Sequence, residues 1–119
     1  MYDPAKDTRS KNEWSSSIGS LDVHYSSGPL NLAFYLTSQG GRNPRFVRVN
    51  NETEYPTITG IGVTNAAKIW YRALSVYMTP STNYAGARTA MLNAATDLFG
   101  SGSVQYNAVA KAFTNINVK

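Results

Sequence analysis

A mainly α fold, a compact bundle of about four to five helices, is what this 119-residue chain predicts, and three observations carry the prediction. Hydrophobic residues make up 42% of the sequence, enough for one domain of 13.0 kDa to bury a real core. Four apolar stripes recur at the three-to-four-residue spacing of an amphipathic helix. Each stripe is bracketed by residues that start or stop helices, which fixes where the elements fall.

Residues 1–20 are polar, with a turn signal at Asp3-Pro4 and the run Ser15-Ser16-Ser17 ahead of Gly19, and they read as an extended lead-in. The first helix opens at Ser27-Gly28-Pro29, because proline is pre-set for a helix's first turn; Leu30, Ala33, Phe34 and Leu36 follow on one face. Gly40-Gly41 stops it. Between 42 and 59 the pattern changes to Phe46, Val47 and Val49, a turn-like Asn50-Asn51-Glu52, then Tyr55 and Ile58. That predicts a short irregular hairpin or loop, kept at an edge by Pro56. After Gly60-Ile61-Gly62, Thr64 is placed to cap a helix with Ile69, Trp70, Ala73, Leu74 and Tyr77 inward, ending before Pro80. Asn83 caps the next, which buries Tyr84, Ala87, Met91, Ala94, Ala95 and Leu98 and closes at Gly100. Ser103 caps the last, with Val104, Ala108, Val109, Ala112, Phe113 and Ile116 on its core side. Arg72 and Asp97 are candidates for an ion pair between helices.

Composition narrows the function. The absence of cysteine excludes disulfides, thiolate metal sites and a cysteine nucleophile. The net charge of +4 is spread along the chain, and the cluster Arg42, Arg45 and Arg48 is followed closely by Glu52 and Glu54. Nucleic-acid binding needs cations gathered on one face beside base readers, so no nucleic-acid partner is expected. No apolar run approaches the roughly 18 residues that span a bilayer, so no membrane partner is expected either. The N-terminus carries neither a basic n-region nor an apolar h-region, so the chain holds no signal peptide of its own. Beginning Met1-Tyr2-Asp3-Pro4, it reads as a piece of a longer protein.

The residues with most chemical promise are His24, the one histidine, and Asp22 two positions before it, within Leu21-Asp22-Val23-His24-Tyr25-Ser26-Ser27-Gly28. Imidazole is the side chain whose charge changes near neutrality. If residues 22–24 run extended, the period of two puts both side chains on one face, where the carboxylate orients the ring and favours its protonated form. No second histidine and no nucleophile motif accompany them. On the residues alone, a structural histidine and a catalytic one both stay open.

The order of short elements resembles the C-terminal half of the thermolysin-like neutral zinc metalloproteases. Asp3-Pro4-Ala5-Lys6, Asp22-Val23-His24-Tyr25-Ser26-Ser27-Gly28, Ala33-Phe34-Tyr35-Leu36 and Gln39-Gly40-Gly41 carry the first part of the likeness. Lys68-Ile69-Trp70-Tyr71-Arg72-Ala73-Leu74, Tyr77-Met78-Thr79-Pro80, Asn83-Tyr84, Ala95-Thr96-Asp97-Leu98-Phe99-Gly100 and Val118-Lys119 continue it. The likeness covers nearly the whole chain apart from the loop between 42 and 59. The His24 segment is similar to the vibriolysin and pseudolysin branch, and the helical part from Gly60 to thermolysin itself, so no branch is assigned.

The resemblance implies a secreted parent enzyme that hydrolyses peptide bonds. Its zinc would be held by a His-Glu-x-x-His helix with a downstream glutamate, and calcium would sit in the same N-terminal part. Neither a cofactor site nor a metal ligand is expected in this chain. Residues 1–20 would lead in from the domain junction, and 21–119 would form the helical C-terminal domain. Its partners would be the N-terminal catalytic domain and a peptide or protein substrate. His24 matches the family histidine that donates a hydrogen bond to the oxyanion of the tetrahedral intermediate, and Asp22 the aspartate that orients it. The chain alone would be inactive. The competing expectation is a non-catalytic, autonomously folding binding module of the same ancestry.

Overall fold

The computed structural model describes residues 2–45 and 55–119, and it is mainly α, as the apolar periods predict. In chain order the helices are α1 (Val23–Ser26), α2 (Gly28–Gln39), α3 (Val63–Arg72), α4 (Tyr84–Phe99) and α5 (Val104–Asn115). The lead-in forms no α-helix but is punctuated by 3-10 turns at Pro4–Asp7 and Ile18–Ser20. The hairpin residues expected at 46–54 lie outside the described residues. Just beyond them an isolated antiparallel bridge joins Gly41 to Ile58.

Helix ends follow local chemistry. Asn83 accepts a hydrogen bond from the Gly86 amide (2.8 Å) and Ser103 from the Tyr106 amide (3.1 Å), so both expected caps form. The start of α3 differs from expectation. The chain swings into it at Gly62 (φ 86°, ψ 152°), a conformation that glycine alone adopts readily, so Thr64 lies inside the first turn and caps nothing. The far end of α3 loosens into a π-helical turn at Ala73–Tyr77, where the Met78 amide reaches back to the Ala73 carbonyl (2.9 Å).

The core lies where α2, α3, α4 and α5 meet. Leu32, Leu36, Ile69, Met91, Val109, Phe113 and Ile116 are fully buried there, and alanines at 90, 94, 95, 108 and 112 let α4 and α5 approach closely. Trp70 packs edge-on against Phe34 (5.2 Å between centroids) and stacks on Phe113 (6.4 Å). Four residues expected inside are exposed: Leu74 (58%), Tyr77, Leu98 and Val104 (65%). They sit at the edges of their stripes or at helix ends, where their apolar surface is left uncovered. Arg72 and Asp97 do pair across α3 and α4 (2.9 Å), and the Tyr77 hydroxyl donates to the same carboxylate.

Buried amides tie the irregular segments to this core. Asn43 donates to the carbonyls of Asn12 (3.1 Å) and Asn115 (3.0 Å), and its own amide N–H donates to the Asn115 side chain (2.9 Å). Asn115 in turn donates to the Pro56 carbonyl (2.8 Å). With their polar groups satisfied, these asparagines can be buried at little cost. Gly28 brings the lead-in against the start of α2, because a Cβ there would lie 2.2 Å from the Lys11 carbonyl oxygen.

Candidate functional site

His24 sits in α1, a single helical turn that enters α2 after one intervening residue. Residues 22–24 do not run extended. Asp22 caps the turn: its carbonyl accepts from the Ser26 amide (3.0 Å) and its Oδ1 accepts from the His24 amide (2.9 Å). The same Oδ1 lies 2.6 Å from His24 Nδ1. One carboxylate oxygen thus fixes both the backbone and the ring of the histidine, so the two residues meet through a cap and not through strand alternation. The hydrogen bond from the His24 amide, followed by that from its ring, holds the Asp22 carboxyl below the usual carboxylate range.

Both side chains face solvent, the ring 85% exposed and the carboxylate 59%. A histidine serving only the core would be covered and would spend its ring on internal partners. With Nδ1 engaged by Asp22, Nε2 is the atom left for chemistry, and it donates only when the ring carries both protons.

The other end of the turn is held from a distance. Tyr84, the first residue of α4, donates its hydroxyl to the Ser26 carbonyl (2.6 Å). Sequence reasoning placed Tyr84 among core residues and missed this bond. No local signal marks a hydroxyl whose partner lies 58 residues away. An open pocket of about 250 Å³ lies between the turn and α4, lined by Val23, Ser26, Leu30, Met78, Tyr84 and Ala87 among others. A larger hollow of about 350 Å³ runs from Tyr77 along α4, but no carboxylate, imidazole or amine lines it. The His24 turn is the better candidate on chemical grounds.

No three His, Cys, Asp or Glu side chains gather to hold a metal among the described residues. Among the described residues the donors do not fit a catalytic zinc, and His24 is already committed to Asp22 through one ring nitrogen.

Comparison with known proteins agrees with the family resemblance of the sequence. The family model for the thermolysin metallopeptidase, alpha-helical domain, matches residues 1–118. A transglutaminase-activating metalloprotease of Streptomyces mobaraensis is 48% identical over 99% of this chain and 16% of its own length. Thermolysin of Alicyclobacillus acidocaldarius subsp. acidocaldarius and bacillolysin of Bacillus caldolyticus are each 39% identical over 99% of this chain and 20% of their own. The chain spans no more than a fifth of the length of these relatives.

Proposed function

This chain belongs to the family of thermolysin metallopeptidase alpha-helical domains, and from that premise we propose that it is the C-terminal domain of a secreted zinc endopeptidase. Residues 1–20 lead in from the domain junction and residues 21–119 form one wall of the substrate cleft. The N-terminal catalytic domain of the same protein is its partner, and a peptide or protein is the substrate. Zinc, which activates the attacking water, belongs with calcium to that N-terminal part.

What this chain contributes is His24. As water adds to the peptide carbonyl, its oxygen gains negative charge, and a donor aimed there stabilises the transition state more than the bound substrate. Nε2 of a doubly protonated His24 is that donor. Asp22 keeps the ring in the donating orientation and balances its charge through the 2.6 Å contact at Nδ1. The observation that supports this reading most is that single contact: an exposed imidazole oriented by a carboxylate that also caps the turn beneath it. One hydrogen-bond donor without a metal or a general base generates no nucleophile, so the domain is inactive by itself.

Casein cleavage tests the proposal. The parent protease is expected to cleave casein and to lose that activity to a zinc chelator, while this chain with added zinc leaves casein intact. Robust, chelator-sensitive cleavage by this chain alone would overturn it.

A further inference from the structure

The His24 turn is one helical turn long, and a single turn is too short to be stable by itself. Its N-terminal end is closed by Asp22, which belongs to the turn and moves with it. Its C-terminal end is different. Among the described residues, the hydrogen bond that joins this turn to a distant element is the one from the Tyr84 hydroxyl to the Ser26 carbonyl, 2.6 Å long. Tyr84 opens the longest helix of the bundle, directly after the Asn83 cap, so its backbone is fixed by the most regular part of the fold.

The hydroxyl also occupies the joint between two helices. It donates to Ser26, the last residue of α1, and lies close to the backbone of Leu30 in the first turn of α2. The phenol is partly buried, and that burial raises its pKa above the ordinary tyrosine value while the nearby Leu30 amide works the other way. A phenol kept protonated remains a donor across the working range of a neutral protease. The ring itself packs against the core and, with Leu30, Met78 and Ala87, lines the pocket beside the turn, so hydroxyl and ring have separable tasks.

We propose that Tyr84 is a positioning residue for catalysis, acting through the Ser26 carbonyl to hold the His24 turn at the height and angle from which Nε2 meets the oxyanion. This rests on the reading of His24 given above and extends it to a residue outside the Asp22–His24 pair. Aim matters because a donor displaced by a fraction of an ångström loses much of its transition-state preference while substrate binding is little changed. A tyrosine that served only packing would affect stability and leave the chemical step alone.

The test is a double-mutant cycle in the full-length protease with Tyr84→Phe and His24→Ala, reading kcat, KM and thermal midpoint. Tyr84→Phe keeps the ring and its packing and removes only the donor. It is expected to lower kcat by roughly 5-fold to 20-fold, with KM and the thermal midpoint nearly unchanged. In the His24→Ala background the same change is expected to have no further effect on kcat, because the group it positions is gone. An equal loss of kcat in both backgrounds, or no loss from Tyr84→Phe while His24→Ala is strongly impaired, would overturn the role of Tyr84 and leave that of His24 standing. Unchanged kcat in His24→Ala would instead overturn the reading of His24, and this inference with it.

Discussion

The α4–α5 pair and the His24 turn obey opposite rules. Along α4 and α5 the side chains that matter are apolar and fully covered, and both helices begin at a serine or asparagine whose side chain caps them locally. In the His24 turn, the side chains at 22, 23 and 24 are exposed, the helix is four residues long, and its order comes from a few polar contacts. The first region gains stability from area removed from water. The second gains direction from hydrogen bonds and contributes little to stability. Fold and chemistry are therefore held by different forces, and substitutions should separate them.

The largest effect should come from the covered side. Phe113 is fully buried on α5 and stacked under Trp70, so Phe113→Ala should destabilise the fold by about 3–5 kcal/mol through lost transfer energy and a residual cavity. Against a typical total of about 5–15 kcal/mol, denaturant unfolding should show a large drop in midpoint. A drop no larger than that of a surface substitution would break the contrast between the regions. A much smaller effect on stability is expected at Asp22. Its carboxyl is lowered in the folded chain, so its contribution is fully present above the ordinary carboxylate range and is lost only as pH falls through the lower folded value. Asp22→Ala should therefore show its small loss of unfolding midpoint at neutral pH, a loss that vanishes below the lowered carboxyl value, while lowering kcat in the same direction as His24→Ala but more mildly. A loss of midpoint as large as that of Phe113→Ala would mean that the turn supports the fold after all, and an unchanged kcat would count against the pair.

The two regions also differed in how far the sequence disclosed them. Asn83, Gly100 and Ser103 were legible because capping is settled within one turn of chain, and the apolar periods of α4 and α5 point to Met91, Val109 and Phe113 directly. Periodicity gives a face and not its width. Leu74 and Val104 belong to apolar stripes but sit where their apolar surface is left uncovered, which depends on how the helices cross. The start of α3 at Gly62 was hidden by the stronger capping preference of Thr64. At the site, the residues Asp22 and His24 were visible as a short-range pair, but their geometry was not. An aspartate at this position can orient a ring from a strand or from a helix cap, and the cap won because Ser26 lies within reach of the Asp22 carbonyl. Tyr84 and the Asn43–Asn115 contacts could not be read, since each joins residues at least 58 positions apart.

The central claim is that His24 stabilises charge in the transition state and does nothing for the fold. Steady-state kinetics of His24→Ala in the full-length protease, with thermal unfolding measured on the same preparation, addresses it most directly. The predicted result is a loss of roughly 100-fold to 1,000-fold in kcat, a KM changed far less, and an unaltered unfolding midpoint. An unchanged kcat, or a loss of activity that tracks a lowered midpoint, would contradict it.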